Sequence, residues 1–365
     1  MSSILPREGL TLEAICSPFY HTLFQPLLTG PLLYGLLKYP DLLQQWPGLT
    51  NLVNQSGIQS VGVLLGLGIV SRVNRWLSRL AVNNYSNDPT WDWNKEVVLL
   101  TGGSRGIGAK IAAKLAQGAV YGDFVRIAFY TFEVDELLIS NFSNPAENVH
   151  FYELEITSSQ AVQQVADQIR QKHGEPTVLI NNAGIGSAKP ILEEPEQTTR
   201  KMFDVNIMSH FVLVKQFLPA MITKNHGHIV TIASMASFVV QGQNVDYACT
   251  KAATLAFHEG LNQELKYWYN APKVRTTVVH PTWIRTPLID MLTKSSNFKD
   301  FCLEPETVAD AVVNQLHSGY GGQLILPARL SIMAGIKGFP LWLQESVRNR
   351  KEEKESRRGP IDRPL

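Results

Sequence analysis

Cysteine is scarce in this chain. Cys16, Cys249 and Cys302 are the only three among 365 residues, odd in number, far apart and without metal-ligand spacing. That excludes a disulfide framework and a zinc site, and it points to a reducing compartment around most of the molecule. An excess of one charge is also missing: 33 Lys and Arg stand against 32 Asp and Glu, net +1, so no nucleic-acid footprint is present. Long unbroken apolar runs are lacking as well. Residues 14–37 are interrupted by Pro18, His21, Gln25, Pro26 and Pro31, and residues 58–70 make a cleaner run of only about thirteen. Neither reaches the roughly twenty residues of a spanning helix. No cleaved leader is expected, because the apolar run neither follows a basic N-terminus nor ends at a small-residue site.

What is present is a core-forming composition, 44% hydrophobic, enough for one large domain plus an extension. Strand and helix signals alternate from residue 97 onward, with strands expected near 97–100, 125–130, 148–152, 177–181, 228–233, 274–280 and 323–326. The pattern predicts an α/β fold, a doubly wound parallel sheet. It divides the chain into an apolar extension (1–90), an α/β domain (91–330) and a C-terminal apolar segment with a charged tail (331–365).

Between the first strand and a helix over 109–117 lies Thr101-Gly102-Gly103-Ser104-Arg105-Gly106-Ile107-Gly108. Glycines at such a turn let backbone amides and the helix dipole hold phosphate, and a dinucleotide pyrophosphate is the natural guest. A nucleoside-triphosphate loop is excluded, because Ala109 stands where its lysine must be. Asn181-Asn182-Ala183-Gly184 follows, and then Tyr247 and Lys251, one helical turn apart on one face. A phenol beside an ammonium makes a proton donor and acceptor whose pKa the positive charge is expected to lower from about 10.

In this order the three motifs resemble the classical short-chain dehydrogenase/reductase family over about residues 95–330. The resemblance implies a Rossmann-type fold and a catalytic set of Asn206, Ser234, Tyr247 and Lys251, with Ser237 competing for the serine role. It places Thr101, Gly102, Ser104, Arg105, Gly106, Ile107, Gly108, Asn182, Ala183 and Gly184 around the cofactor, together with Tyr247 and Lys251. Glu155 stands where an aspartate usually faces the adenine, and Ile284 and Thr286 match positions that hold the carboxamide. Asn206 is expected to bend its helix around a bound water. Helices near 197–224 and 246–269 would pair with their copies in a homo-oligomer.

Two departures bear on the cofactor. The second strand, 125–130, ends in Tyr130 and Thr131, where an NAD enzyme carries a carboxylate, and Arg105 matches a basic position used against the 2′-phosphate. NADP is favoured over NAD; Asp123 would serve the ribose if the strand were registered earlier. After the sixth strand Pro281-Thr282 replaces the usual Pro-Gly. The segment 287–305, with Leu288, Ile289, Met291, Leu292, Phe298 and Phe301, reads as an apolar lid over a lipophilic small-molecule substrate.

The closest look-alikes are the membrane-associated retinol and hydroxysteroid dehydrogenases, which also precede this domain with an apolar extension. Here Arg72, Arg75 and Arg79 share a helix face opposite Val73, Trp76, Leu77 and Leu80, the pattern of a helix at a membrane surface. The alternative is a set of extra helices packed on the enzyme. A second interfacial contact is expected at 332–343, and a solvated tail at 351–358. Placement on the endoplasmic reticulum or a lipid droplet, catalytic domain in the cytosol, follows as an expectation and leaves the acceptor-like triplets at Asn54, Asn84 and Asn141 silent. Two other readings share the fold: a non-catalytic nucleotide sensor or membrane scaffold, and an acyl-chain ketoreductase.

Overall fold

Runs such as Val97-Val98-Leu99-Leu100 are apolar on both faces, so they are stable only as inner strands covered by helices on either side. The computed structural model describes residues 7–8, 12–119, 126–131, 149–294, 298 and 300–356. It forms these runs into β1 (Val97–Thr101), β2 (Arg126–Thr131), β3 (Val149–Glu153), β4 (Val178–Asn181), β5 (His228–Ile232), β6 (Arg275–Pro281) and β7 (Gly322–Leu326). They pair in parallel in the order β3-β2-β1-β4-β5-β6-β7. The order reverses between β1 and β4, and the carboxyl ends of those strands are where a doubly wound sheet opens its ligand crevice.

Helices Ser159–His173, Ser209–Lys224 and Val245–Tyr267 supply one core layer with the sheet, in which Leu99, Leu179, Phe217 and Leu265 are fully enclosed. Helices Gly106–Ala119 and Pro305–His317 supply the other, around Leu100, Ile111, Ile180 and Val312. The helical stretch Glu196–Lys224 is apolar and long enough to cross a membrane, but 56% of its most apolar window is buried inside the protein. It is a core helix.

The chain divides between Val82 and Asn83 into two compact units. The first contains helices Leu12–Leu23, Pro26–Lys38, Pro40–Gln44 and Gln55–Val82. The last differs from the short run expected: it has 28 residues, about 42 Å at 1.5 Å per residue, and by length and composition it can cross a membrane. The helix continues beyond the apolar run in both directions because Asn54 Oδ1 accepts the Gly57 N–H at 2.7 Å as an N-terminal cap and no proline interrupts before Pro89. Arg72 bonds to Gln25, and Arg75 bonds to Tyr20 and lies over its ring. The arginine face is thus engaged within the unit, while Val63, Leu67, Val70, Val73 and Trp76 are exposed.

The second unit opens with a strap, Asn83 to Glu96, laid across the amino-terminal ends of β1, β5, β6 and β7. Asn83 Oδ1 accepts the Gly321 N–H at 2.8 Å. The buried Arg275 guanidinium donates to Asn83 O at 2.9 Å and Ser86 O at 2.7 Å. His226 sits between Asp88 Oδ2 at 2.7 Å and Glu96 Oε2 at 3.1 Å. Asn84 Nδ2 donates to Pro272 O, so its amide is part of the same clamp. At the other end of the chain a helix runs Leu341–Ser356, so residues 351–356 of the charge run expected to be a solvated, disordered tail are helical, and the rest of that run lies outside the described residues; Lys and Glu are good helix formers. Buried Gln344 donates to Lys337 O and Phe339 O and shapes the turn that leaves Leu341 and Trp342 exposed.

Candidate active site

β1 delivers Thr101 to the reversal point of the sheet, buried. Its hydroxyl oxygen accepts the N–H groups of Asn182 and Ala183, both at 3.0 Å, and the Asn182 side-chain amide donates to Thr101 O at 2.9 Å and Gly102 O at 3.1 Å. Two expected cofactor residues therefore stitch β1 to β4. Glycine is required in the loop for steric reasons: a Cβ on Gly108 would lie 2.1 Å from Gly102 O, and Gly102 itself has φ +65° with Ala183 Cα 2.9 Å from its Cβ position. The Gly106–Ala119 helix starts in this loop, so its first amides and its dipole face the turn, a cradle that fits a pyrophosphate. Ser104 is buried, Ile107 packs on the core and Arg105 is exposed on the rim.

The Val245–Tyr267 helix carries Tyr247 and Lys251 one turn apart. The ammonium is buried, donates to Ile232 O at 2.8 Å, and lies 5.6 Å from the Tyr247 ring centroid. Burial lowers its pKa to about 8. The phenol pKa moves opposite to the expected direction: burial raises it, and the Ser234 hydroxyl bonded to it opposes that rise. Ser234 is separated from its rival by geometry, because the Ser237 hydroxyl is spent on Lys251 O at 2.8 Å.

Asn206 is fully buried within a π-helical turn, Asp204–Met208, a local widening of the helix. Its Oδ1 accepts the Ile185 N–H at 2.8 Å, and its Nδ2 donates to Ile185 O at 2.9 Å and Thr250 Oγ1 at 3.1 Å. The Cβ position of Gly184 is 3.5 Å from Asn206 Oδ1 and 3.7 Å from Lys251 Nζ, which brings the Asn-Ala-Gly turn, Asn206 and Lys251 to one place. Thr250, whose hydroxyl links Asn206 to Tyr247 O at 2.7 Å, is a site residue that the motifs did not reveal. Its only sequence signal is its place three residues after Tyr247.

The rim comes from other loops. Glu155 is exposed after β3, with Oε1 accepting the Thr157 hydroxyl at 2.7 Å. The Ile284 side chain is in the core, held by a bridge to Leu303, so what it offers a ligand is backbone. Thr286 Cγ2 is 3.1 Å from the Cβ position of Gly106, joining the segment after β6 to the glycine loop. From the segment expected to form a lid, Leu288 Cδ1 comes within 3.5 Å of the Cβ position of Gly186, and Tyr247 Cδ2 within 3.6 Å of it. Gly186 was not anticipated. β2 begins at Arg126 and pairs Tyr130 with Thr101, so the register that would end the strand at Asp123 is not adopted; Asp123, like Asn141, lies outside the described residues.

The family model described as short chain dehydrogenase matches residues 96–297. The chain belongs to the short-chain dehydrogenase/reductase family. As such it is an NAD(P)-dependent oxidoreductase acting on CH–OH groups. The dehydrogenase RED2 of Cochliobolus heterostrophus is 45% identical over 226 residues, 61% of this chain and 82% of that one. Mouse epidermal retinol dehydrogenase 2 is 31% identical over 72% of this chain and 82% of its own, and human estradiol 17-beta-dehydrogenase 11 is 30% identical over 61% and 71%. Among solved structures, ElxO with NADP bound superposes with a TM-score of 0.54 at 26% identity, covering 63% of this short-chain dehydrogenase and 97% of that chain.

Proposed function

We propose that this dehydrogenase interconverts an alcohol and a carbonyl on a lipophilic, retinoid-, steroid- or fatty-alcohol-like substrate with NADP(H). The observation that carries this reading is the convergence of Ser234, Tyr247, Lys251 and Asn206 beside an apolar wall formed by Leu288 over Gly186. The Tyr247 hydroxyl exchanges a proton with the substrate oxygen. Ser234 hydrogen-bonds that oxygen where charge develops. Lys251 holds the β5 end through Ile232 O and would bind the ribose of a nicotinamide seated beside it, and Asn206 fixes the turn at Ile185, where it would complete a proton path to solvent. Thr101, Gly102, Ser104, Gly106, Ile107, Gly108, Asn182, Ala183 and Gly184 would hold the dinucleotide, with Glu155 toward the adenine and Ile284 and Thr286 toward the carboxamide. Bound there, the nicotinamide supplies or accepts the hydride.

The substrate class rests on the apolar lid and on relatives named for retinol and estradiol. The membrane assignment rests on the Gln55–Val82 helix with its exposed apolar side chains; the unit containing it holds the enzyme on a membrane such as the endoplasmic reticulum or a lipid droplet, catalytic unit in the cytosol. Pairing of the Ser209–Lys224 and Val245–Tyr267 helices with a second copy makes the homo-oligomer.

Cofactor choice is assigned to Arg105. A guanidinium paired with a 2′-phosphate contributes roughly 1.5–3 kcal/mol, a preference of about ten- to a hundredfold for NADP(H). A panel of retinoids, steroids and fatty alcohols assayed with both cofactors should show that preference, and Arg105→Ala should reduce it selectively. Greater efficiency with NADH than NADPH overturns the cofactor assignment. Nucleotide binding without turnover of any alcohol or carbonyl in the panel would favour a sensor or scaffold instead.

A further inference from the structure

The proposed chemistry makes no use of His280, yet the residue is fully buried at the end of β6. Its Nδ1 lies 3.1 Å from Ser234 O. A carbonyl oxygen only accepts, so Nδ1 carries the proton and donates it. Its Nε2 lies 3.3 Å from Gln323 Nε2 on β7, an amide nitrogen that only donates, so Nε2 is the acceptor. The two neighbours fix a single neutral tautomer, and burial supports it by pushing the imidazole down to about 4.

The ring also packs on Phe238, with centroids 4.5 Å apart. Ser234 and Phe238 bracket the 3-10 turn Met235–Ser237, whose first amides are capped by the Ser234 hydroxyl accepting Ala236 N–H at 3.1 Å. His280 therefore grips both ends of the turn that presents Ser234. Strand pairing does not reach that far: the β5–β6 register ends at Ile232 opposite Val279, followed by one backbone bond from Ala233 N to Val279 O at 2.8 Å. The imidazole continues the ladder by one side-chain bond beyond its end.

We propose that His280 is a positioning residue for the reaction: by holding Ser234 O, it sets the direction of the Ser234 hydroxyl toward Tyr247 and the substrate oxygen. This rests on the assignment of Ser234 and Tyr247 made above. A proton relay is not its role, since the Nδ1 proton points at a carbonyl that has no use for it.

The test compares two amide replacements in the full-length enzyme. His280→Asn puts its side-chain N–H where Nδ1–H stands, and His280→Gln puts it where Nε2 stands while filling more of the space. With NADPH and a substrate taken from the panel, His280→Asn should keep kcat within about threefold of the wild type. His280→Gln should lower kcat about tenfold or more, as expected for a displaced reacting group, with KM for NADPH changed less than about twofold. In a Ser234→Ala background the difference between the two replacements should vanish, because the group being positioned is gone. Equal kcat for the two, the reverse order, or an undiminished difference without the Ser234 hydroxyl overturns the proposal. Ser234→Ala leaving kcat unchanged would instead overturn the assignment of Ser234 on which it rests.

Discussion

A phenol sheltered from water keeps its proton, and Tyr247 is such a phenol: burial raises its pKa and only the Ser234 bond counteracts this. Spacing alone suggested that Lys251 would lower it, but the ammonium is itself buried and directed to Ile232 O. The proton that Tyr247 holds is the one the proposed reaction exchanges. General acid–base groups contribute about 10²- to 10⁴-fold, so Tyr247→Phe should cut turnover at least about a hundredfold and leave NADPH affinity, measured by fluorescence titration, nearly unaltered. A variant retaining half the wild-type rate would remove Tyr247 from the mechanism. Motif letters point to Asn206, Tyr247 and Lys251; a choice between Ser234 and Ser237 needs the fold, because it depends on which hydroxyl the backbone of the Val245–Tyr267 helix has already engaged.

The strap from Asn83 to Glu96 is the element whose importance the sequence hid. It has no periodicity, and its anchors are single residues far along the chain: Gly321, Arg275, Pro272 and His226. Asn83→Ala would leave the buried Gly321 amide without an acceptor, which costs about 1–3 kcal/mol, and the melting temperature should fall accordingly. The boundary of the catalytic unit expected from the sequence falls after residue 90, whereas the compact unit begins at Asn83; Asp88 is a start between the two. A chain begun there lacks Asn83 and Ser86, so the Arg275 guanidinium loses its bonds to both and keeps Pro272 O; it should melt below one begun at Asn83. Equal melting temperatures would show that the strap is dispensable.

For the molecule as a whole, the histidines govern how stability depends on pH between about 4 and 7. His210 and His228 are pushed down to about 3, and His258 and His280 to about 4, burial being the largest cause in each. The unfolded chain binds more protons than the folded one below 6.5, so these four remove stability as pH falls from 6.5 toward 4. His226 acts with the opposite sign. Its pKa is raised, first by the Glu96 hydrogen bond and further by Asp88, so its contribution is complete below 6.5 and is lost as pH rises through the folded value. Asp88 is lowered by Thr90 and His226 against the opposing effect of burial, and its contribution disappears only in stronger acid. Denaturant midpoints should therefore decline as pH falls below about 6.5 and as it rises through the folded value of His226, and His226→Gln should flatten the alkaline side and, through the loss of a partner that lowers Asp88, weaken the strongly acid side as well. An unchanged alkaline limb would exclude His226 as its source.

Sequence by itself determined the strands of the parallel sheet and the glycine loop after β1, because these depend on local patterns: apolar runs flanked by helices, and glycines such as Gly108 where a Cβ would strike Gly102 O. It also placed Tyr247 and Lys251 on one face, since a helical turn is a local rule. Tertiary structure decided what depends on distant partners: the direction of the Tyr247 pKa, the engagement of Arg72 and Arg75 within the first unit, and the neutral tautomer of His280 at the back of Ser234. Burial and hydrogen-bond partners are properties of the folded surroundings, and no spacing along the chain encodes which carbonyl a buried ammonium or imidazole will meet.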